Sequence, residues 1–527
     1  MSTSPTLTGS KVADGVLLLL VIAYVTSWLR SWYQLSHIPG PRGWGWSIFP
    51  WLKLHTRTDL LDQFCYLTDQ YGPLVRVGPK TLVCSDPDVL RRLSAPRSPY
   101  VRADWYYAMR LNPGEDNIFS TLDETRHEEL RRKMAAGYSG KENTSLEQDV
   151  DHCLLELIHL IDRKYISVGG TIKPMDLARK VAFLTSDIMS KVAFDAEFHD
   201  LRDDRDNFGY IEELEALFPN ITWTATVPGF LKVMTNLGLL QKLAAAADGN
   251  MGVAKVKAIA FEQVGKRFGP DGKPNQDKPD MLGSFIRHGL TQEEAKQESV
   301  LNLTAGSDTT ATAIRATLLC IMTNPRVYRT LMAEIDEALA QGKIPAGPTE
   351  VITEAQGKQL PYLQACIKEG LRWYPPVTGE LSKKASIQYL PTPPQGDTIC
   401  GYYVPGGVKV GSSVKAVHRN PKLFSPDPNS FRPERWILAS EPHGHESSAE
   451  KLKEMERNND LVFGYGKYQC LGKPVAFMEL NKVFVELLRR FEFEVRDPLN
   501  LWDTRCCGTH LQKDMWVVVR KRALGIK

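Results

Sequence analysis

One segment dictates much of what this 527-residue chain can become. Thr291 and Glu294 form a capping-box pair that starts a helix, and Asn324-Pro325 stops it. The roughly 32 residues between them span about 48 Å at ~1.5 Å per residue, enough to cross a whole domain. Its middle reads Leu303-Thr304-Ala305-Gly306-Ser307-Asp308-Thr309-Thr310. Gly, Thr and Asp each weaken a helix interior by roughly 0.5–1 kcal/mol. Packing of small residues accounts for Ala305 and Gly306. It leaves Asp308 and Thr309 unexplained in a helix that should be buried, and such a sequence suits local opening or close approach to a flat ligand.

Two further elements carry chemistry. A helix over 361–374 begins with Pro361 and ends at Pro375-Pro376, with Glu369 and Arg372 on one face. Arg435, in Phe431-Arg432-Pro433-Glu434-Arg435-Trp436, can join them in a buried Glu–Arg–Arg cluster of structural type. Later, Phe463-Gly464-Tyr465-Gly466-Lys467-Tyr468-Gln469-Cys470-Leu471-Gly472 precedes an apolar helix. Position 469 is Gln, so the third glycine of a dinucleotide fingerprint is missing, and the spacing to Gly472-Lys473 breaks a P-loop. What remains is a cysteine on a Gly-rich turn at a helix N-terminus, where free N–H groups and the helix dipole favour a thiolate. That geometry suits a metal in a planar cofactor.

Composition narrows the class. Lys and Arg total 65 against 62 Asp and Glu, a net charge of +3, which argues against a nucleic-acid-coating protein. Nine cysteines without a CxxC pair do not make a disulfide scaffold, and a reducing compartment fits them.

The N-terminus reads as a membrane anchor over 1–32. Residues 16–25 are VLLLLVIAYV, and the apolar stretch 12–29 spans ~27 Å as a helix, near the thickness of an endoplasmic reticulum bilayer. Trp28, Trp32 and Tyr33 would form an aromatic belt; Arg30 and Arg42 place the body in the cytosol by the positive-inside rule. A Pro/Gly hinge follows over 33–45, containing Ile38-Pro39-Gly40-Pro41.

Helical periodicity dominates the rest, at 146–165, 176–194, 292–323, 326–341 and 473–490. Strand-like runs are 74–77 with 81–84, 409–411 and 516–520. The stretches 266–280 and 441–459 read as exposed loops. The fold class is mostly α with a minor β-sheet.

Together, the three elements resemble the cytochrome P450 family of haem-thiolate monooxygenases, and the wording FGYGKYQCLGKP resembles its fungal microsomal, pisatin demethylase-like group. The resemblance implies the family fold: a long central helix, with the cofactor between it and the helix after the Cys loop. It replaces the length prior of about three domains with a single haem-thiolate domain over 46–527. It implies haem b with Cys470 as axial ligand, held by the loop residues Phe463, Gly466 and Gly472. The propionates would be anchored by His127, Arg131 and a lysine, Lys383 or Lys384, with Lys467 nearby. Asp308 and Thr309 become the acid–alcohol pair that delivers protons for O–O cleavage. Glu369, Arg372 and Arg435 become the structural triad. Two departures stand out. Tyr468 replaces the usual basic residue two before the cysteine, and His127 replaces the usual Trp four before Arg131.

The resemblance also implies NADPH–cytochrome P450 reductase as partner, with cytochrome b5 as an auxiliary donor, docking a basic face that includes Lys467, Lys473 and Arg132. A hydrophobic small molecule would be hydroxylated, epoxidised or dealkylated, in fungal secondary metabolism. The pocket would be lined from 97–119, 218–230, 302–304, 377–380 and 507–510, with Trp105, Tyr106, Tyr107 and Trp223 as aromatic walls and Glu380 as a polar reader. Location would be the endoplasmic reticulum membrane, single-pass, with a cytosolic catalytic domain and no nucleic-acid partner. A haem-thiolate isomerase, dehydratase or peroxygenase, or an inactive haem-binding membrane protein, remain as alternatives.

Overall fold

A computed structural model of the chain describes residues 9–245, 251–377, 379–385, 396–439 and 448–522. The central helix is Gln292–Thr323, 32 residues, and its N-terminus is the expected capping box between Thr291 and Glu294. Its hydrophobic side chains, among them Leu303, Ile314, Leu318 and Ile321, lie within the largest apolar cluster of the protein. It is helical throughout, so the expected local opening is not seen. Instead, the hydroxyls of Thr304, Ser307 and Thr309 donate to carbonyls four residues back, at 2.9, 2.8 and 2.8 Å. Gly306 is explained by packing. A Cβ there would lie 2.6 Å from Met189 of the neighbouring helix Leu177–Phe194.

The other helices follow their apolar periodicity with small shifts: Leu146–Leu160, Pro325–Ala340, Pro361–Trp373 and Lys473–Arg490. One expectation fails. Within 441–459, read as loop, Ala449–Asn459 is a helix capped by Ser448. Its charged surface hid the few positions it buries, Met455, Asn458 and Asn459, while Lys368 pairs with Glu456 at 2.6 Å. Residues 440–447 lie outside the described residues.

The main sheet has five strands, in the spatial order Leu74–Gly78, Thr81–Cys84, Lys409–Ser412, Lys383–Ala385 and Tyr100–Arg102. Thr81–Cys84 runs parallel to Lys409–Ser412, and the remaining pairs are antiparallel. Smaller sheets join Phe491–Val495 to Trp516–Lys521 and Asp503–Cys506 to His510–Lys513. The mostly helical architecture with a minor sheet is as expected.

The first helix, Gly9–Gln34, docks its C-terminal end on the body. The Trp28 indole donates to the Trp46 carbonyl at 2.5 Å, and the Trp32 ring stacks on Trp46 at 4.3 Å. The buried Arg76 guanidinium donates to the Trp32 and Gly45 carbonyls, both at 3.1 Å. Trp28 and Trp32 therefore pack on protein, and Tyr33, 76% exposed, alone of the expected belt projects freely. The Pro/Gly stretch is pinned along the sheet edge, with the Pro39 carbonyl accepting the Arg76 N–H at 2.8 Å. Among the described residues no helix is long and apolar enough to cross a membrane; several side chains of Gly9–Gln34 lie outside that set.

Behind the central helix lies the expected Glu–Arg–Arg cluster, fully buried. Arg372 grips both Glu369 oxygens at 2.8 Å, and Arg435 Nε reaches Glu369 at 3.1 Å. The Trp436 indole and the Arg432 N–H also donate to Glu369, at 2.9 and 2.7 Å. Burial raises the Glu369 pKa, and Arg372 and Arg435 more than reverse this. The outer edges of the guanidiniums bind carbonyls of His418, Phe424, Pro426, Pro428 and Ser430. One carboxylate thus fastens the 361–373 helix to the chain over 418–436. Breaking a buried pair from one side costs about 3–5 kcal/mol. Glu369→Gln is therefore expected to lower the denaturant midpoint sharply and to deplete bound haem; a parental midpoint would contradict this clamp.

Candidate active site

The cysteine loop is shaped by its backbone. Gly464 and Gly466 adopt φ of 72° and 58°, and the Cys470 N–H donates to the Phe463 carbonyl at 2.8 Å. A Cβ on Gly466 would strike the Ser94 carbonyl, so this glycine seats the loop on helix Pro87–Ser94. Gly472 is the N-cap of Lys473–Arg490 and lies beside the sulfur, its Cβ position 3.7 Å from Cys470 Sγ. The surrounding protein desolvates the Cys470 thiol and raises its pKa even though the residue borders open space; the N–H groups of Gly472 and Lys473 and the charges of Arg131 and Lys473 oppose this. These are the groups that would hold a thiolate.

Tyr138 links this loop to the central helix. Its hydroxyl donates to Asn302 Oδ1, and its ring lies 4.0 Å from the Gly472 Cβ position. One turn along from Asn302, Ala305 is exposed although 301–304 are buried, and Cys470 is exposed as well. The central helix and the cysteine turn therefore present open surface on either side of Tyr138.

A cluster of cations borders the loop. Arg102 and Lys383 are directly paired across neighbouring strands, an arrangement of like charges that is normally unfavourable. Arg102 is buried and donates to the Ile118 carbonyl at 2.6 Å and to His127 Nε2 at 3.1 Å. Burial, then Arg102 and Lys467, bring the Lys383 pKa down to about 8. Arg131 donates to the Gln469 carbonyl at 2.6 Å. Tyr468, at the position where a base was expected, lies within cation–π range of Arg102, Lys383 and Lys467, at 4.9, 5.6 and 5.1 Å. Its hydroxyl donates to Glu124 at 2.5 Å, and Lys467 pairs with the same carboxylate at 2.8 Å. Among the described residues, Arg102, Arg131 and Lys383 have no carboxylate at ion-pair distance.

Several expectations are sharpened here. Lys384 turns to Asp104 at 2.6 Å, so strand alternation leaves Lys383 as the lysine of the cluster. His127 sits in the cluster but is neutral: burial, then Arg102, Arg131 and Lys467, lower its pKa to about 3. Arg102 was not singled out by sequence, because only the strand pairing places it opposite Lys383. Lys467 turns inward and Lys473 pairs with Asp460 at 2.8 Å, leaving Arg132 exposed on that face. Glu380 is buried, and Lys409, Ser382 and Trp51 oppose the rise that burial causes in its pKa.

On the central helix, Thr309 Oγ1 donates to the carbonyl of the exposed Ala305 at 2.8 Å. Asp308 Oδ2 is buried without a hydrogen-bond partner among the described residues. Burial raises the Asp308 pKa against the opposing Arg315 charge. Asp308 and Arg315 also influence Glu215, whose pKa burial raises; Glu215 meets Arg179 at 3.5 Å near the surface. Trp105 and Tyr106 are buried and pack edge to face at 5.1 Å. Trp223 is 38% exposed and Tyr107 half-buried against Arg110. Thr222 donates to the Cys507 carbonyl, and Gly379 N–H donates to Gly508 O at 3.1 Å, drawing three expected wall segments together.

The family model for cytochrome P450 matches residues 38–508, and the chain belongs to the cytochrome P450 family. The cytochrome P450 monooxygenase ABA1 of Pyricularia oryzae is 38% identical over 519 residues, covering 97% of each chain. The cytochrome P450 monooxygenase aba1 of Botryotinia fuckeliana is 37% identical over 492 residues, covering 92% of each. The haem domain of cytochrome P450DA shares the fold, with a TM-score of 0.71 at 18% identity over 92% of this chain and 98% of that one. The protein is thus a monooxygenase, an oxidoreductase that incorporates one oxygen atom, and its cofactor is haem b with a cysteine thiolate ligand. The residues present fit that group: Cys470 on its turn offers the sulfur, and the cations without carboxylate partners match two propionates. Arg102, Arg131 and Lys383 would hold those carboxylates.

Charge-assisted hydrogen bonds contribute about 1.5–3 kcal/mol each, or roughly 10–100-fold in retention. Arg102→Gln and Lys383→Gln are each expected to speed haem transfer to apomyoglobin by about that factor. Parental transfer rates in both would contradict the anchoring role.

Proposed function

We propose that this protein is a fungal microsomal monooxygenase, anchored by its first helix in the endoplasmic reticulum membrane with its catalytic domain in the cytosol. It takes electrons from NADPH–cytochrome P450 reductase, with cytochrome b5 as an auxiliary donor. It hydroxylates, epoxidises or dealkylates a hydrophobic small molecule of secondary metabolism. The observation that carries this reading is the Asp308–Thr309 pair beside exposed Ala305 on the central helix.

When bound, haem ligated by a thiolate supplies dioxygen activation by pushing electron density toward O–O cleavage. The protein must supply protons. Thr309 keeps its hydroxyl on the Ala305 carbonyl, from which a rotation about χ1 turns it to a ligand. Asp308, its pKa raised by burial, holds a proton more readily than a surface carboxylate. Glu215, paired with Arg179 and partly exposed, lies within electrostatic reach of that carboxyl. Nothing in the sequence resembles a flavin or nicotinamide fingerprint, so the electrons are external.

Membrane attachment is supported by the length of the first helix, 26 residues or about 39 Å, and by its apolar run at 16–25. Leu217, Trp223, Phe230, Val233 and Leu237 add exposed apolar surface on the helices Tyr210–Ala225 and Pro228–Asn236 and the turn after them. The tight docking of Trp28 and Trp32 on Trp46 would fix the tilt of the body against the bilayer.

Reconstitution with reductase, NADPH and a fungal metabolite extract should yield a product heavier by one oxygen atom. Thr309→Ala is expected to consume oxygen and NADPH while releasing hydrogen peroxide in place of product, and Asp308→Asn to slow turnover roughly 10²-fold. Unchanged coupling in both would remove the pair from proton delivery. In microsomes the full chain should resist alkaline carbonate extraction while protease added outside digests the body; release by carbonate would contradict the anchor.

A further inference from the structure

The first helix changes character before it ends. Its apolar run at 16–25 gives way to Ser27, Arg30, Ser31 and Gln34, which share one face at spacings of three, four and seven residues. That face forms one wall of an open cleft of about 740 Å³. Lys80, from the turn joining Leu74–Gly78 to Thr81–Cys84, forms a second wall. Tyr403, on the strand Tyr402–Val404, forms a third with the turn that follows it. The volume falls within the range of small-ligand sites, roughly 300–1,000 Å³.

Hydrogen bonds tie the three walls together. The Ser31 hydroxyl donates to the Pro79 carbonyl at 3.0 Å, and His37 Nε2 donates to the Tyr403 carbonyl at 2.9 Å. The Lys80 carbonyl accepts the Lys409 N–H at 2.9 Å, which fixes its turn to the main sheet. No carboxylate lines the cleft, and among the described residues neither Arg30 nor Lys80 has an ion-pair partner. The carbonyls ending a helix carry partial negative charge and would disfavour an anion there. Here they are already engaged. Arg76 donates to the Ser31 and Trp32 carbonyls at 3.4 and 3.1 Å, and the Ser36 hydroxyl to the Tyr33 carbonyl at 2.8 Å. The two free cations are thus left for a ligand, and Ser27, Tyr33 and Tyr403 add hydroxyl-bearing side chains to the same lining.

We propose that this cleft binds the phosphate ester headgroup of an anionic phospholipid, with the phosphate oxygens between Arg30 and Lys80 and hydroxyl-bearing side chains around a polyol substituent. Guanidinium and ammonium groups are the usual partners of phosphate, and basic residues beside a membrane helix attract anionic lipid. Arg30 follows the apolar run by five residues, about 7.5 Å of helix, which puts the cleft at the level of a bilayer surface. The lipid assignment rests on the anchor reading above. A choline headgroup would set its ammonium beside two like charges, so the cleft favours a headgroup without one. Arg30 belongs to the first helix and Lys80 to the sheet, so one phosphate would join anchor to body beside the Trp28, Trp32 and Trp46 contact.

The full-length, haem-loaded protein in neutral detergent micelles is titrated with dioctanoyl phosphatidylinositol and, separately, with dioctanoyl phosphatidylcholine. Bound lipid is counted by native mass spectrometry. A single phosphatidylinositol per chain should be retained, roughly tenfold more tightly than phosphatidylcholine, and Arg30→Gln and Lys80→Gln should each weaken it roughly tenfold. Arg42→Gln removes an exposed charge of the same segment that does not line the cleft, and should leave retention unchanged. Equal losses in all three variants would reduce the effect to surface charge and overturn the site, as would equal retention of the two lipids. Glycerophosphoinositol, the same headgroup without acyl chains, should bind more weakly; binding as tight as the lipid would assign the cleft to a soluble phosphate ester and overturn the lipid assignment. The titration needs no bilayer, so a failed anchor is read separately, as release of the chain by alkaline carbonate.

Discussion

The buried carboxylate of Glu369 fixes the chain that leads into the site. It receives five hydrogen bonds at 2.7–3.1 Å, from Arg372, Arg435, Trp436 and the Arg432 backbone. A buried ion pair does not stabilise a fold by default, since desolvation offsets much of the attraction. Its value here is specificity. The two guanidiniums also bind backbone carbonyls over 418–430, which lack partners of regular secondary structure, so one carboxylate organises an irregular segment. His418 in turn meets the Asn458 carbonyl at 3.3 Å, just before the turn that runs into the cysteine loop.

On that frame stands a cluster of like charges. Arg102 and Lys383 face each other across a strand pair, Lys383 has its pKa lowered to about 8, and Glu124 is the carboxylate already engaged by Lys467 and Tyr468. Like charges so placed repel unless anions join them. Two haem propionates would supply those anions and Cys470 the thiolate, which would link folding to cofactor retention. Tyr468 carries no charge, yet its ring and hydroxyl gather the cations that a basic residue there would have repelled.

Much of this was legible in the sequence where the signal is local. The capping box and Asn324-Pro325 set both ends of the central helix, because caps depend on residues within one turn. Glu369, Arg372, Arg435 and Cys470 stand in short motifs whose spacing encodes their geometry. What was hidden depends on contacts distant in sequence. Arg102 joins the cluster through a strand pairing with Lys383, Gly306 answers to Met189, and Trp28 and Trp32 meet Trp46. The helix Ala449–Asn459 escaped because its few buried positions leave no continuous apolar stripe. His127 illustrates a different limit: its place in the site could be foreseen, but its neutral state follows from burial beside three cations.

The central claim is that the Cys470 thiolate, held by the N–H groups of Gly472 and Lys473 beside the Arg102, Arg131 and Lys383 cations, carries the haem. The most direct measurement is the absorbance spectrum of the reduced full-length protein under carbon monoxide. The parent protein should show the long-wavelength band of thiolate-ligated haem, and Cys470→Ser should lose that band even where haem is retained. A Cys470→Ser protein with the parental band would contradict the account.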